Sequence, residues 1–355
     1  MKIAIPREIK PLEGRVALSP DACSDLVQAG HDVIVEHDAG RLSGYPDDQY
    51  VAAGATIAAD AATAYARGEL IVKVKEPVAG ELELLQQHHL LFCFLHLAAA
   101  ARLAQQLQDI GLTAVGFETV ETDDRQLPLL APMSDIAGRL ATQIGTHLLH
   151  QPQGGKGLLL GGVPGAERGR VVIIGAGNAG GNAAQMAAAI GAEVVVFDLR
   201  RDRLAAMREL GGNVTGLYPY PDAIRTAVSE ADLLIGAALH TGERAPHIVS
   251  RDMVASMAPG SVIVDVSVDQ GGCVETTRPT TYEAPTYIEQ GVVHFAVTNM
   301  PGAVPRSASQ ALSTVILPYV QALTRPDWQD NASLARGINV AAGKLVHPAL
   351  KESLA

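Results

Sequence analysis

Residues 170–198, RVVIIGAGNAGGNAAQMAAAIGAEVVVFD, contain the pattern that decides the fold of this 355-residue chain. Val171–Ile174 is a short β-branched apolar run, which is typical of a buried parallel strand. A glycine-rich turn follows, and the small residues of Asn182–Ile190 then predict a helix closed by a glycine. A second apolar run, Glu193–Phe197, predicts another strand that ends directly before an aspartate. This order predicts a strand–loop–helix–strand unit.

The turn has the spacing G-x-G-x-x-G, and each of its glycines has a mechanical reason. Gly175 permits the tight turn, Gly177 lets the backbone approach a pyrophosphate, and Gly180 lets the helix lie close to the strand. The helix N-terminus adds unpaired N–H groups and the positive end of the helix dipole, both of which favour a phosphate. Because the flanking strands and helix are also predicted, the pattern indicates a dinucleotide site rather than a purely structural turn.

Asp198 follows the second strand, at the position from which an acid selects between nicotinamide cofactors. It lies about 20 residues after the glycines, where a carboxylate can accept both ribose hydroxyls of NAD and would repel the 2′-phosphate of NADP. Arg200, Arg201 and Arg203 lie nearby and keep NADP as an alternative. We therefore expect NAD as the cofactor.

Length and composition limit the class of protein. A chain of 355 residues exceeds one comfortable core, so two domains are expected, and 48% hydrophobic residues with 35 glycines suit an α/β protein. The net charge of −11 argues against nucleic acid or an anionic membrane as a partner. Leu90–Ala101, the longest apolar run, is too short to span a bilayer, and we expect no signal peptide. The three widely spaced cysteines indicate reduced thiols and a cytoplasmic protein.

The residues before the dinucleotide unit predict a second doubly wound domain. Strands are expected at Lys2–Pro6, Asp32–Glu36, Leu70–Lys75, Leu90–His96 and Thr113–Phe117, with helices from Ser19-Pro20 and over Ala101–Ile110. No glycine-rich phosphate loop follows any of these strands. We therefore expect this part of the chain to bind the substrate.

The rest of the chain predicts how the two domains are connected. Ser134 is expected to cap a long helix that runs to about His150, and further strands are expected at Leu233–Leu239, Val262–Asp269 and Val292–Asn299. A helix over Ser307–Leu323 then returns to the first domain. The predicted fold class is α/β, with two doubly wound Rossmann-like domains and mainly parallel sheets. The cofactor domain, 131–304, is inserted into a discontinuous substrate domain, 1–130 plus 305–355.

Polar residues that follow predicted strands form the candidate catalytic set, because ligands of open α/β sheets bind at the carboxyl ends of the strands. They are Arg15, Lys75, His96, Asp269 and Asn299. Two cations, an imidazole and a carboxylate beside a nicotinamide suit the oxidation of a small carboxylate that bears an amine or a hydroxyl. Arg15 and Lys75 would hold the carboxylate, and His96 would be a general acid and base. Asp269 would orient water or the cationic substrate nitrogen.

Three of these assignments have alternatives, and two of the alternatives are residues at neighbouring positions. Lys73 shares a strand face with Lys75 by the period of two, so the sequence leaves open which lysine faces the site. Asp265 competes with Asp269 in the same way, and Asp269 is also consistent with a turn. His96 alone is as consistent with a hydrogen-bonded core histidine as with a catalyst.

The arginine assignment also has competitors. Arg7 and Lys10 lie in the same charged loop as Arg15. Each of the three cations is equally consistent with an ion pair to Glu8 or Glu13. Only the expected convergence of the whole set on one sheet edge favours the catalytic interpretation.

The histidine pairs do not predict a metal site. His88-His89 lacks the i, i+4 spacing of helical metal ligands, and His147 with His150 lacks nearby acidic partners. We therefore expect no protein-bound metal. Ser134, at a predicted helix start, is consistent with a phosphate contact in addition to capping.

Long ungapped segments carry a resemblance that covers nearly the whole chain. They are PREIKPLEGRVALSP (6–20), VKVKEP (72–77), FLHLA (94–98), APMSDIAGRLA (131–141), GGKGLLLGGVPG (154–165), DQGGCVETTRPTTYEAPTY (269–287) and NMPGAVPR (299–306). The chain resembles the family of alanine dehydrogenase and the nucleotide-binding subunit of pyridine nucleotide transhydrogenase. Segments of this length are far more specific than the glycine spacing alone.

The resemblance assigns roles to particular residues. It implies that Arg15 and Lys75 bind the substrate and that His96 and Asp269 are catalytic. The implied cofactor contacts are Ser134, Gly175, Gly177, Asn178, Ala179, Gly180, Asp198, Arg203, Leu239, Val266, Ser267, Val268, Asp269, Val297, Thr298, Asn299 and Met300.

The same resemblance implies NAD-dependent, reversible oxidative deamination of L-alanine to pyruvate and ammonium. It also implies a homo-oligomer, with a hexamer favoured. The alternatives are a dehydrogenase of another 2-amino acid or an opine, and a transhydrogenase-like nucleotide-binding subunit. The chain departs from the family pattern at His240-Thr241-Gly242, in the GAGNAG turn, and at Ser267 and Val268, where alanine and isoleucine are usual. These departures lie around the expected cofactor site.

Overall fold

The chain folds into short strands alternating with helices, as the apolar runs and turn residues predict. The structure is a computed structural model and describes residues 1–238 and 247–354. Its strands, in chain order, are Lys2–Ile5 (β1), Asp32–Glu36 (β2), Thr56–Ala58 (β3), Leu70–Val72 (β4), Leu90–Cys93 (β5), Thr113–Gly116 (β6), Arg170–Ile174 (β7), Glu193–Phe197 (β8), Val214–Leu217 (β9), Leu233–Gly236 (β10), Val262–Asp265 (β11), Thr286–Glu289 (β12), Val292–Phe295 (β13), Ile338–Ala341 (β14) and Lys344–Leu345 (β15).

Most connections between strands contain an α-helix. The helices are Pro20–Gln28 (α1), Asp47–Ala52 (α2), Ala61–Arg67 (α3), Ala79–Leu82 (α4), Ala101–Ile110 (α5), Ala131–Leu148 (α6), Asn178–Ala189 (α7), Arg201–Arg208 (α8), Pro221–Ser229 (α9), Arg251–Ala255 (α10), Pro305–Leu323 (α11), Ala332–Gly337 (α12) and Pro348–Ser353 (α13). Within the described ranges, no helix combines the length and the apolar character needed to cross a membrane.

Two compact units divide the chain, and the second is inserted in the first. Unit 1 comprises Met1–Met133 and Gly302–Ala355, and unit 2 comprises Ser134–Pro301. Each unit is built around its own mainly parallel sheet. The predicted α/β class with two mainly parallel sheets is therefore confirmed.

The sheet of unit 1 has eight strands among the described residues, in the order β15-β14-β6-β5-β4-β1-β2-β3. Strands β1 to β6 pair in parallel, whereas β14 and β15 add an antiparallel edge. The central strands β4 and β5 are apolar throughout and fully buried, as a parallel sheet covered on both faces requires. The strand order reverses between β1 and β4, which is where such sheets bind ligands.

The sheet of unit 2 has seven strands in the described part, in the order β12-β13-β11-β10-β7-β8-β9. Six of them are parallel, and five of these six correspond to predicted strands. Strand β9 was not predicted, nor was β12, which pairs antiparallel with β13 at the edge. Counted in order of appearance, the parallel strands of both units follow the Rossmann order 3-2-1-4-5-6. The two units therefore share one topology.

Several strands end earlier than predicted. The ladders stop at Val72 in β4, Cys93 in β5, Gly236 in β10, Asp265 in β11 and Phe295 in β13, rather than at Lys75, His96, Leu239, Asp269 and Asn299. Apolar residues continue beyond these ends, but Val266–Gln270, for example, forms a 3₁₀ helix instead. The candidate polar residues therefore lie in the loops beyond the sheet edge.

The long helix begins earlier than predicted. Helix α6 starts at Ala131, so Ser134 lies within its first turn, and the prediction that Ser134 is its N-cap is wrong. Pro132 is tolerated there because the first N–H groups of a helix have no intrahelical partner. Ser19, in contrast, caps α1 as predicted, since its side chain accepts the Ala22 N–H at 3.4 Å.

Candidate active site

Arg15 is buried in the loop after β1, and the same loop supplies its ion-pair partner. Its Nε and Nη2 atoms donate to the two carboxylate oxygens of Glu13 at 2.7 and 2.5 Å, and Nη1 donates to Met133 Sδ at 3.2 Å. The arginine is only 2% exposed. The pairing with Glu13, one of the alternatives left open by the sequence, is present. It holds the guanidinium in one orientation.

The two competing cations of this loop have other partners. Arg7 is half exposed and lies against Glu36, which accepts the Arg7 backbone N–H at 2.8 Å. Lys10 forms an ion pair with Glu76 and is about one-third exposed. Arg15 is therefore the buried cation of the three.

The structure separates the two lysines that the sequence leaves equivalent. Lys73 is fully buried, and its Nζ lies 2.5 Å from Glu81 Oε1 and 3.4 Å from Glu8 Oε2. Burial by itself lowers the pKa of Lys73, but the charges of Glu8 and Glu81 outweigh this effect and raise the pKa overall. Lys73 therefore stays charged inside the core, where two carboxylates engage it.

Lys75 is partly exposed, in the loop beyond β4. Burial and then the charge of Arg15 lower its pKa below 10.5, although Glu76 opposes the shift. The Glu8 carboxylate accepts the Lys75 backbone N–H at 3.4 Å and so ties the loop to the buried ion pairs. Lys75 and Arg15 are thus neighbouring cations, a pair suited to a carboxylate.

His96 follows β5 in the left-handed backbone region, with φ 51° and ψ 35°. Such a conformation is uncommon for a residue other than glycine and indicates a locally imposed constraint. The constraint comes from Glu118, whose carboxylate accepts the backbone N–H groups of His96 at 2.6 Å and of Leu95 at 3.1 Å. The ring stacks on Phe94 at 5.7 Å and is 45% exposed. It is therefore not a core histidine.

Three of the predicted catalytic residues thus belong to one neighbourhood of unit 1. Arg15 and Lys75 interact electrostatically, and Glu76, adjacent to Lys75 in the chain, lies 3.5 Å from His96 Nδ1. Asp269 and Asn299 belong to unit 2.

The glycine loop of unit 2 has the shape that the sequence predicts for a phosphate site. Gly175 has φ +99°, and a Cβ on Gly180 would lie 1.8 Å from the Gly175 carbonyl oxygen. A Cβ on Gly177 would meet only Arg203 Nη1, at 3.8 Å, among the described atoms within 4 Å. Gly177 is also the N-cap of α7 and offers no side chain to the first N–H groups. The loop therefore leaves room, and helix N–H donors, for a pyrophosphate.

Asp198 follows β8 and is bonded to the glycine loop. Its Oδ2 accepts the Ala176 N–H at 2.7 Å and lies 3.5 Å from Arg203 Nη1, while Oδ1 accepts the Arg200 N–H at 2.8 Å. The Arg200 guanidinium pairs with Asp202 at 2.5 Å. Arg200 and Arg203 therefore already have acidic partners.

The two competing aspartates of unit 2 have different environments. Asp265 is fully buried and accepts the N–H groups of Ser267 and Cys273 at 3.0 and 3.1 Å and the Thr277 hydroxyl at 2.7 Å. Burial raises the pKa of Asp265 despite these bonds. Asp269 is exposed, in the 3₁₀ helix after β11. Asp265 therefore shapes the loop, and Asp269 is the accessible carboxylate.

Seven more of the predicted cofactor residues follow β11 or β13, at the carboxyl edge of the unit 2 sheet. Val266 and Val268 lie in the 3₁₀ helix after β11, and Val297, Thr298, Asn299 and Met300 follow β13. The Ser267 hydroxyl donates to the Ala238 carbonyl at 2.7 Å, a bond that the usual alanine could not make. Asn299 has φ +60°. Leu239, with the departure at 240–242, lies outside the described residues.

Sequence reasoning missed the acids that support this neighbourhood. Glu8 and Glu13 belong to the charged loop after β1, where they were considered only as ion-pair partners. Glu118 lies beyond β6, and nothing in the local pattern indicates that it would bind the backbone of residue 96. Glu118 is found only once the fold brings distant segments together, whereas Glu13 pairs with Arg15 only two residues away.

One group of possible metal ligands lies in the segment after β2. His37, Asp38 and Asp47 place ligand atoms within 4.8 Å of one another among the described residues. His37 Nδ1 is paired with Asp47 Oδ2 at 2.5 Å. The expectation of no metal stays a prediction.

Comparisons with known proteins agree with the resemblance. Family models described as alanine dehydrogenase/PNT match residues 4–137 (N-terminal domain) and 141–348 (C-terminal domain). An alanine dehydrogenase from Halomonas elongata is 49% identical over 99% of this chain and 96% of its own length.

Solved structures give the same result. A structure of L-alanine dehydrogenase superposes with a TM-score of 0.96 and 52% identity, covering 99% of both chains. A transhydrogenase from Sinorhizobium meliloti superposes with a TM-score of 0.85 and 25% identity, covering 98% of this chain and 100% of its own. The chain belongs to the alanine dehydrogenase/PNT family.

Proposed function

We propose that this chain catalyses the reversible oxidative deamination of L-alanine to pyruvate and ammonium, with NAD as the hydride carrier. The observation that carries the proposal is the grouping of Arg15, Lys75 and His96 in the loops after β1, β4 and β5. A pair of cations beside an accessible imidazole suits a small 2-amino acid. Full-length relatives described as alanine dehydrogenases support the choice of alanine.

The cations fix the substrate. Glu13 engages the Nε and Nη2 edge of Arg15, and the guanidinium carries five N–H donors in one plane, so the arginine is presented in a fixed orientation. Lys75 adds a second positive charge, and burial is the main reason why the pKa of this lysine is lowered. Together they would hold the carboxylate and so set the direction of the Cα–H bond.

Asp269 and His96 would carry out the steps that involve water and proton transfer. Bound NAD⁺ would supply the acceptor for the hydride that leaves Cα. Asp269 would orient the water that attacks the iminium carbon of the substrate. His96 would take the proton from the resulting hydroxyl as the carbon–nitrogen bond breaks and ammonia leaves.

The glycine loop and Asp198 fit a dinucleotide. The space in front of Gly177, and the N-terminus of α7 beyond it, would receive the pyrophosphate, and the Asp198 carboxylate would accept the ribose hydroxyls. Arg203 lies against Asp198, and Arg200 lies against Asp202. Neither arginine is therefore positioned specifically to bind a 2′-phosphate. These observations support NAD over NADP.

We also propose that the chain forms a homo-oligomer in the cytoplasm, with a hexamer favoured. Small-molecule substrates are its expected partners, and the net charge of −11 disfavours nucleic acid. Sedimentation equilibrium on the purified chain would measure the number of subunits.

The other candidate is a nucleotide-binding subunit that passes hydride to a partner, which the match to a transhydrogenase favours. Such a subunit would not need Arg15, Lys75 and His96 together. Another 2-amino acid or an opine is a narrower alternative, since the same cations would bind any such carboxylate.

The test is an absorbance assay of NADH consumption by the isolated chain. We expect oxidation only when pyruvate and ammonium are both present, and a rate with NADPH at least about tenfold lower. A panel of 2-oxo acids separates alanine from other substrates. Absence of ammonium-dependent oxidation with every 2-oxo acid would contradict the proposed function and favour the subunit.

A further inference from the structure

Glu76 is a partly buried carboxylate that the proposed reaction does not use. It follows Lys75 in the loop beyond β4, and its side chain is 19% exposed. Its Oε1 forms an ion pair with Lys10, whereas Oε2 is buried without a hydrogen-bond partner among the described residues. Oε2 lies 3.5 Å from His96 Nδ1. One oxygen is thus held, and the other is turned to the imidazole.

The electrostatics of Glu76 match this arrangement. Burial alone would raise its pKa, but the favourable interactions with His96 and Lys10 outweigh burial and lower the pKa from 4.5 to about 2. The group is therefore an anion at any pH at which an enzyme would work. A permanent anion beside an imidazole favours the tautomer that donates from the nearer nitrogen.

Two other contacts constrain His96. Glu118 holds its backbone in the left-handed region, and Phe94 stacks on the ring at an interplanar angle of 26°. Rotation of the ring by half a turn would exchange the positions of Nδ1 and Cδ2, and those of Nε2 and Cε1, without disturbing either contact. The carboxylate that meets Nδ1 is what distinguishes the two orientations.

We propose that Glu76 is a positioning residue for His96: its Oε2 accepts the Nδ1 proton, which leaves Nε2 as the atom that exchanges a proton with the substrate. The gap of 3.5 Å closes to a hydrogen bond when substrate is bound, since catalytic hydrogen bonds are often long before that. Lys10 keeps Glu76 from turning away. This inference rests on the proposed function, because it needs His96 to act in turnover.

A double-mutant cycle tests whether Glu76 acts through His96. The variants are Glu76→Gln, Glu76→Asp, His96→Asn and the combination of Glu76→Gln with His96→Asn, assayed with pyruvate, ammonium and NADH. The exposed Glu83→Gln, from the same segment, is the matched control. Thermal midpoints and NADH fluorescence report folding and cofactor binding for each.

We expect Glu76→Gln to lower kcat by about 10- to 100-fold, which is part of the rate enhancement that a positioned general acid or base provides. Glu76→Asp should restore much of the lost kcat. The KM for pyruvate should change by less than about threefold, because Arg15 and Lys75 are intact. In the His96→Asn background the same change should cost less than about twofold. Glu83→Gln should match the wild type.

Three results would overturn the proposal. The first is a loss of kcat from Glu76→Gln that is equal with and without His96. The second is a change confined to the KM for pyruvate, which would indicate an effect on Lys75. The third is a kcat that Glu76→Gln leaves unchanged. If Glu76→Gln melts below the assay temperature, Glu76→Asp in both backgrounds carries the same comparison. An inactive wild type would refute the proposed function instead, so the two failures are distinct.

Discussion

The first loops of the two sheets differ completely, although the sheets share one strand order. After β1 the loop is charged and is held by ion pairs such as Arg15–Glu13 and Lys73–Glu8. After β7 it is GAGNAG, and its space comes from missing side chains, as at Gly177. One topology therefore presents side-chain charge in unit 1 and bare backbone in unit 2.

The difference indicates which kind of substitution is damaging in each loop. In unit 1 a charge that is removed leaves its partner buried and uncompensated, which is costly. In unit 2 the critical quantity is free space, so that an added methyl group is the damaging change. Each prediction below contrasts a position that supports the fold with a neighbour that serves the ligand.

The largest effect is expected from the two lysines of unit 1. Lys73→Met should reduce the free energy of unfolding by about 3–5 kcal/mol, because Glu8 and Glu81 lose the charge buried between them. Lys75→Met should leave stability nearly unchanged and raise the KM for pyruvate by about 10- to 100-fold, the value of one charge-assisted hydrogen bond. Urea unfolding and steady-state kinetics measure the two quantities.

The control for loss of a positive charge is Lys351→Met, at an exposed position of α13. It should alter neither quantity. If Lys75→Met were the destabilising variant and Lys73→Met the one with a raised KM, our assignment of the two lysines would be reversed.

A smaller effect is expected from the glycines of unit 2. Gly180→Ala should cost about 1–3 kcal/mol of stability, because its methyl group would lie 1.8 Å from a backbone carbonyl oxygen. Gly177→Ala should keep its stability, since its methyl group meets only a guanidinium at 3.8 Å, yet lose about tenfold in NADH affinity. Thermal melting and fluorescence titration separate the two outcomes. Full NADH affinity in folded Gly177→Ala would place the pyrophosphate elsewhere.

The smallest effect is a pH dependence of unit 1. Burial and Arg15 lower the pKa of Lys75 below 10.5, so the ammonium loses its proton, and with it the attraction for a carboxylate, at a lower pH than an ordinary lysine. The KM for pyruvate at saturating ammonium should therefore rise roughly threefold to tenfold between about pH 7 and pH 10. Lys75→Arg, which keeps its charge, should flatten the rise. An equal rise in both would assign it to another group.

Local patterns predict most of unit 2 and the outline of unit 1. The glycine spacing, the strand Glu193–Phe197 and the acid after it are contiguous, so neighbours in sequence determine them. The capped start of α1 is equally local. The short edge strands β12, β14 and β15 carry no comparable apolar pattern, and they were not predicted.

The choice between equivalent residues could not be predicted, because distant contacts make it. Lys73 and Lys75 share a face of the predicted strand, and the structure buries Lys73 against Glu81 and against Glu8, which is 65 residues away. Asp265 and Asp269 stand four apart in a continuing apolar pattern, and the sequence does not show that the strand ends at Asp265. Which loop residues meet depends on the packing of the whole sheet.

The bond from the Ala176 amide to Asp198 has a consequence for attempts to redesign the cofactor preference. An engineer who wants the phosphorylated dinucleotide would first replace Asp198 with a small neutral residue. That exchange would also remove the hydrogen bond that holds Ala176 in the glycine loop, because the Asp198 carboxylate accepts the Ala176 N–H at 2.7 Å. Asparagine, which keeps an acceptor for that amide, is therefore the better starting point than alanine.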